Sequence, residues 1–445
     1  MPVEADHEML LSGHLPRQSY VAPLRSAEGA GSQRVGYFEF MIAGALATLY
    51  SCDIVRLLFD VNFGAIAHIS RQISLIMYGV TVILLLRRLD AFMQAVWKAP
   101  ELLLLTLLPA VSLFWSTSPS ESFVRVIAFL GSSLFGYYLA ISFSPRELLR
   151  LLCLVALFVA LLCLVLIFAV PSVGLSPAPW LGSWRGAFMH KNSLGAGAAM
   201  NAALLTLSLM TTLDRRISHW IFLALALNFL LLAGSGSLSA QVSYVVAVLL
   251  IFATRSLTGS IRAIAFPLAI SALPLLLALV FSVDGETVTD LIEGLGKDVT
   301  LSGRMPIWVS VWPYITERFW LGFGYEAFWV QGQVAVDVIE SQLRYRPYYS
   351  HNGILELFLS LGFVGVVVFL SVFAVLLWRL GRVMIKAPHS ILSSLAAVWV
   401  LVFLVRNFSE ASILGRDSMQ WCMFMALYLM LADTTAGARA PWRSR

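Results

Sequence analysis

Long apolar blocks joined by polar links dominate this chain. They fall near residues 37–59, 66–86, 101–115, 123–143, 148–170, 193–212, 217–233, 239–253, 263–283, 353–377, 391–405 and 417–432. Lipid offers no partner to an open backbone, so each block is predicted to be a helix, although several fall short of the roughly 20 residues a span needs. The blocks are continuous in polarity, which excludes a β-barrel. The pattern predicts an all-α polytopic membrane protein with about twelve transmembrane helices.

One link breaks the rhythm. Residues 284–352 carry Trp308, Trp312, Trp320 and Trp329, together with Tyr345, Tyr348 and Tyr349. Links beyond about 12–15 residues are usually functional or disordered, and this one is too aromatic for disorder. From Met305 to Trp320, Ile307, Val311 and Ile315 recur at helical spacing, as do Trp308 and Trp312. That spacing predicts a helix on the membrane surface, within a long, partly helical periplasmic loop folded as an external lid. Residues 1–35 and 434–445 read as cytoplasmic tails around a 36–433 membrane domain. The polar start carries no cleaved signal sequence.

Composition agrees with the pattern. Hydrophobic residues make up 59% and charged residues 12% of the 445, against roughly 45–50% and 25% in soluble proteins. Mean hydropathy is +0.83. These values exclude a cytosolic enzyme, a nucleic-acid binder and a disordered scaffold. Cys52, Cys153, Cys163 and Cys422 fall in apolar stretches and read as buried packing residues.

The net charge of +5 matters less than its placement. Arg87, Arg88, Lys98, Arg146, Arg150, Arg215, Arg216, Arg255, Arg262, Arg379, Arg382 and Lys386 occupy one set of links, whereas links 116–122 and 234–238 hold no Lys or Arg. By the positive-inside rule both termini are cytoplasmic.

Against that bias, a minority of cations falls outside: Arg185, Arg304, Arg344, Arg346, Arg406 and Arg416, with Arg125 just inside the outer end of a span. Arginine within a span is expensive and usually faces a cavity or a partner, and its planar fork of donors suits phosphate. Pairing with Glu293, Glu317, Glu326, Glu340, Glu356 or Glu410 is the alternative. His68, His190 and His351 are the outer histidines. His190-Lys191-Asn192 and His351-Asn352 echo each other, each at the predicted start of a membrane helix. Helix starts present free N–H groups to an anion, although both Asn residues could simply cap their helices. Asp284-Gly285-Glu286 is a weak candidate for metal-assisted transfer, and two remote histidines are poor support for zinc. No nucleophile-elbow pattern accompanies His351. Basic, metal-free chemistry on a phosphorylated substrate fits these residues best.

Arg185-Gly186-Ala187-Phe188-Met189-His190-Lys191-Asn192, Leu301-Ser302-Gly303-Arg304, Leu321-Gly322-Phe323-Gly324-Tyr325-Glu326-Ala327-Phe328-Trp329 and Ser350-His351-Asn352-Gly353-Ile354-Leu355-Glu356 resemble motifs of the O-antigen ligase and exopolysaccharide polymerase family of bacterial inner-membrane glycosyltransferases. The resemblance covers roughly residues 180–410. It implies a metal-independent enzyme without cofactors, facing the periplasm. Such an enzyme moves a glycan from undecaprenyl diphosphate to an acceptor hydroxyl with inversion. By matching motif, His351 would activate the acceptor, while Arg185 and Arg304 would hold the diphosphate. Arg125, His190, Lys191, Asn192, Asn352, Glu356, Arg406 and Glu410 would bind substrate. Implied partners are the lipid-linked glycan, membrane lipid, a flippase and a chain-length regulator, with no nucleic acid. Met305 departs from the small polar residue common after the arginine, and residues 1–35 have no counterpart. The expected activity is polymerisation of repeat units. The rivals are an O-antigen ligase delivering finished polymer to lipid A-core, and a transporter of the same lipid, which the outer clustering of polar residues disfavours.

Overall fold

A computed structural model gives the architecture and describes residues 35–61, 67–177, 181–211, 215–256, 304–387 and 389–436. Among these residues the fold is helical and has no β-strand; Leu175 and Trp184 form an isolated bridge. The helices used below are α1 Tyr37–Ser51, α2 Ala67–Leu86, α3 Leu89–Lys98, α4 Pro100–Val111, α5 Pro119–Ser142, α6 Pro145–Ala169, α7 Lys191–Thr211, α8 Arg215–Ser235, α9 Leu238–Ser256, α10 Arg304–Glu317, α11 Val334–Leu343, α12 Gly353–Lys386, α13 Ile391–Ser409 and α14 Met419–Ala436.

Seven of them are long and apolar enough to cross a membrane: α2, α5, α6, α7, α8, α12 and α13. The bent pair α3 and α4 would make an eighth. The expected twelve is therefore not confirmed, and the block at 263–283 lies outside the described residues. Helix α1 has only 15 residues, and the apolar part of α9 stops at Phe252. Helices α3 and α4 meet at 96°. Pro100 explains the bend: a residue before proline is pushed out of the helical region, and Ala99 takes φ −142°, ψ 61°.

Local sequence sets several helix starts. Ser144 and Glu147 close a capping box over α6, with Pro145 at its first position. Ser390 accepts from Ser393 N at the start of α13. Small residues then let helices approach, since membrane helices gain little from hydrophobic exclusion between themselves. A Cβ added at Gly136 of α5 would meet Met425 Cβ at 2.5 Å and Cys422 O at 2.6 Å, both on α14. The Trp421 indole N–H donates to Ser133 Oγ across the same contact, at 2.8 Å. Trp399, Phe403, Trp421 and Phe424 stack at the centre of the main core. All four cysteines are buried and free. On the side predicted to be cytoplasmic, Arg88 pairs with Glu39 at 2.9 Å and Arg379 with Glu101 at 2.8 Å. Some of the basic residues that set the predicted topology thus also tie helices together.

Helix α12 is broken at Gly362, where φ is 63° and ψ is −163°. The freed backbone groups find partners in the segment after α10. Phe323 N donates to Leu359 O (2.8 Å), Gly324 N to Ser360 O (3.0 Å), Phe363 N to Phe319 O (2.7 Å) and Val364 N to Trp320 O (3.2 Å). A break inside a helix is sustained when the backbone groups it frees are satisfied in this way. The break separates a short piece, Gly353–Leu361, from the long span below it.

The described part of the long loop is folded. Ile307, Val311 and Ile315 of α10 pack with Phe323, Phe328, Ile339 of α11 and Leu359 into a second, smaller core. The expected helix at 305–320 is thus present, as α10. Residues 284–303 lie outside the described residues.

Candidate functional site

The chain around His351 is shaped from both sides. Asn352 caps α12, its Oδ1 accepting from Ile354 N (3.0 Å) and Leu355 N (3.1 Å). Immediately before His351, the buried Ser350 is clamped. Its N–H donates to Glu356 Oε2 at 3.0 Å, and its carbonyl accepts from the Trp308 indole at 2.9 Å. The Trp329 indole donates to the same Glu356 oxygen at 3.1 Å. Held at both ends, His351 takes φ +54°, an uncommon left-handed conformation that surrounding contacts must enforce.

The end of α13 supplies the partner. Asn407 turns the chain there: its Oδ1 accepts from Ser412 N (2.8 Å) and Ile413 N (3.0 Å). It also fits against Gly353, where a Cβ would lie 2.4 Å from that oxygen. Glu410 follows, buried, and gathers three groups. Arg304 Nη2 donates to Oε1 at 3.0 Å, Tyr349 OH donates to Oε2 at 2.7 Å, and His351 Nδ1 faces Oε2 at 3.2 Å. The Tyr349 and His351 rings lie 4.1 Å apart.

Burial alone would raise the Glu410 carboxyl. The hydrogen bond and charge at His351, the Arg304 guanidinium and the Tyr349 hydroxyl overcome it and hold the group at about 2. Glu410 is therefore a carboxylate at neutral pH. Burial beside that carboxylate pushes the Tyr349 phenol well above its ordinary range, so Tyr349 stays a donor. Because the Glu410 carboxylate can only accept, His351 Nδ1 is the nitrogen that donates to it, and Nε2 is the one turned away from that partner.

His190 joins this group electrostatically, feeling Glu410, His351, Arg304 and Lys191. Burial is the main cause that lowers its pKa, and the neighbouring cations lower it further against the pull of Glu410. Its Nδ1 accepts from Asn192 N at 3.2 Å at the start of α7. Asn192, Arg406 and Glu410 line one small cavity with Ser239 and Ser243 of α9. Five segments thus converge: the α7 start, α9, the α10 start, the α12 start and the α13 end.

The candidate residues divide accordingly. His351, Arg304, Glu410, His190, Asn192 and Arg406 are brought together, with Lys191 beside His190. Asn352 is spent on capping α12. Glu356 is turned inward to Ser350 and Trp329 and supports the histidine turn. Arg185 is buried, and its Nε donates to Val173 O at 2.9 Å. It begins the loop that ends at His190, but it makes no ion pair among the described residues. Burial lowers its pKa.

Arg125 lies in a different cluster. It donates to Glu326 O, while Arg416 Nε donates to Glu326 Oε2 at 2.7 Å. Tyr78 OH donates to the Asp417 carboxylate next in sequence. This second network ties the Gly322–Trp329 segment to α2 and α5.

The supports Tyr349, Trp308 and Trp329 stand out in sequence only as loop aromatics. The available signal was spacing: Tyr349 lies two residues before His351, a position that reaches the same acceptor. Among the described residues no three His, Cys, Asp or Glu side chains gather as metal ligands.

No curated protein matches this chain. A family model described as O-antigen ligase matches residues 221–370, which takes in Arg304, Tyr349, His351 and Glu356 and stops short of Arg406 and Glu410. With several apolar helices long enough to span a bilayer, this supports a multi-pass membrane enzyme of the ligase or polymerase kind, acting on lipid-linked glycans. The match over residues 221–370 supports membership of the chain in the O-antigen ligase and polymerase family.

Proposed function

We propose that this protein is a polymerase of the bacterial inner membrane. It joins undecaprenyl-diphosphate-linked oligosaccharide repeat units into an exopolysaccharide at the periplasmic face, with both termini cytoplasmic. The observation that carries this reading is the sharing of one buried carboxylate, Glu410, between a histidine and an arginine.

In the proposed reaction the acceptor hydroxyl attacks the anomeric carbon, and its proton passes to His351 Nε2. The bond from that carbon to the diphosphate oxygen breaks on the opposite face, inverting the configuration. Undecaprenyl diphosphate leaves with the electron pair. A histidine positioned as general base contributes on the order of 10²–10⁴ in rate. Arg304 stabilises the charge that develops on the leaving group. One of its terminal nitrogens is held by Glu410, which fixes the fork without occupying all of it. Arg406 and Arg185 are the further cations proposed to hold the diphosphate, with His190, Lys191 and Asn192 at the adjoining helix start.

The description of the matching family favours a second reading, transfer of finished polymer to lipid A-core. One experiment tests both. Full-length protein in liposomes is given lipid-linked repeat units, with and without lipid A-core. A ladder of products on undecaprenyl diphosphate supports the polymerase. Transfer only when lipid A-core is present supports the ligase. Absence of any new glycosidic bond overturns the enzyme reading and leaves transport of the lipid as the rival.

A further inference from the structure

Glu410 opens the link between α13 and α14, and Arg416 lies near its far end. The link is held along its length. Asn407 Oδ1 accepts from Ser412 N and Ile413 N, the Leu414 carbonyl accepts from the buried Tyr325 hydroxyl at 2.6 Å, and Arg416 Nε donates to Glu326 Oε2 at 2.7 Å. Tyr325 and Glu326 belong to another body. Their segment is bonded to the upper piece of α12: Phe323 N donates to Leu359 O, Gly324 N to Ser360 O, and Glu326 N to Ser360 Oγ at 3.3 Å. That piece begins at Gly353, just after His351. The two groups that meet at the site, His351 and Glu410, therefore ride on two bodies. Where Glu326 meets Arg416, those bodies are tied a second time.

Backbone geometry marks the same place. Among the described residues five non-glycine residues have positive φ. Three of them, Glu326 (49°), Leu414 (53°) and Asp417 (50°), lie along this tie, and His351 is a fourth. Such conformations persist only where surrounding contacts over-determine them, and they gather where geometry serves function. The Arg416–Glu326 pair is partly exposed, with 29% and 26% of the two side chains accessible, and a pair of that kind adds little to stability. Stability alone is then a weak reason for three unfavourable backbone conformations. We propose that Arg416 and Glu326 are positioning residues, whose ion pair sets the Glu410 carboxylate against His351 without touching the reacting groups. The proposal rests on the reading given under Proposed function and extends it to a pair outside the site.

The test uses full-length protein in liposomes given lipid-linked repeat units, with Arg416→Ala made in two backgrounds. In the wild-type background kcat should fall about tenfold with KM little changed. In the Glu410→Gln background, where no carboxylate remains to be set, the same substitution should cost less than about twofold. A merely structural role predicts additive losses, so an equal fall in both backgrounds overturns the proposal, as does no fall in either. Glu326→Gln, which keeps the side chain's length and removes its charge, should give the same pattern and stands in if Arg416→Ala folds poorly. Hydrogen exchange supplies a readout apart from turnover: in Arg416→Ala it should quicken over residues 410–417 and not over α14. Unchanged exchange over 410–417 overturns the proposal while leaving the enzyme reading intact. Wild-type protein that forms no glycosidic bond overturns the enzyme reading, and the role claimed for the pair with it.

Discussion

His351 Nδ1 lies 3.2 Å from Glu410 Oε2, and Glu410 is the same carboxylate that holds Arg304. The group proposed to take the proton and the group proposed to steady the leaving diphosphate are therefore set by one side chain. That side chain arrives from a different part of the chain, at the end of α13.

Replacing Glu410 with Gln keeps the size of the side chain and removes its charge. The imidazole loses its orienting acceptor and Arg304 its partner. The expected outcome is a fall in kcat of roughly 10²-fold or more with KM much less affected. Single-turnover assays on reconstituted protein measure this. Glu410→Ala should in addition lower stability by about 3–5 kcal/mol, because it leaves the buried Arg304 uncompensated, and a thermal melt in detergent reads that loss.

Acid should unfold the protein through two windows. The Glu410 carboxyl is held at about 2 against an ordinary 4.5, so the unfolded chain binds the proton first as pH drops. Its contribution to stability is complete above about pH 5 and is lost as pH falls toward 2. The pKa of His190 is also lowered, so its contribution is complete above the ordinary histidine value near ~6.5 and fades below it. Melting temperature followed from pH 7.5 to 3.5 should fall less steeply in Glu410→Gln below pH 5. In His190→Gln it should fall less steeply between pH 7 and 5.5. Slopes identical to wild type in both variants would contradict this assignment.

The turn before His351 depends on a hydrogen bond that can be removed while an aromatic ring is kept in its place, at the cost of some packing. Trp308→Phe leaves Ser350 O without its donor in a buried place, a cost of about 1–3 kcal/mol. The backbone at His351 has then lost one of its clamps. About a tenfold loss in kcat is expected, with product length distribution unchanged. Unaltered kcat would show that Glu356 alone fixes the turn.

Gly362 has φ +63° with ψ −163°, a region that essentially only glycine enters, and an added Cβ would sit 2.4 Å from the Trp320 backbone. Gly362→Ala should therefore destabilise the protein by several kcal/mol, through strain and through parting α12 from the 319–324 segment. The expected observation is a sharply reduced yield of folded protein from membranes. Gly381→Ala on the same helix has nothing within 4 Å of the added methyl and serves as the neutral control.

Much of the architecture was legible in the chain because the bilayer imposes it. Apolar blocks had to become helices, and the spacing of Ile307, Val311 and Ile315 anticipated both α10 and its buried face. What periodicity could not carry was a break inside an apolar run. Residues 353–377 read as one block, because a single glycine changes hydropathy little while it redirects the backbone. Ala99-Pro100 bends α3 against α4 for a similar reason, through φ and ψ and not through polarity. At the site, Arg304, His351 and Glu410 were visible as chemistry out of place. Their convergence was not visible, since it depends on Asn407 turning the chain and on Ser350 being clamped. Arg125 and Arg185 each donate to a backbone carbonyl, of Glu326 and of Val173, and neither shares the Glu410 carboxylate, a difference that spacing along the chain did not carry.

The break at Gly362 also settles a question of length. Unbroken, the 34 residues of α12 would stretch about 51 Å, far beyond the ~30 Å of hydrocarbon. Divided there, the lower piece is about 36 Å long and suits a bilayer with modest tilt. The upper piece belongs to the loop, bonded to residues 319–324 and not to lipid. Residues on both sides of the break, Leu359 and Ser360 above it and Phe363 and Val364 below it, are bonded to the same segment, so the joint is held and not loose. The start of α12, where His351 faces Glu410, is thereby fastened to the loop by its own backbone, and the apolar length is left to the piece beyond the glycine.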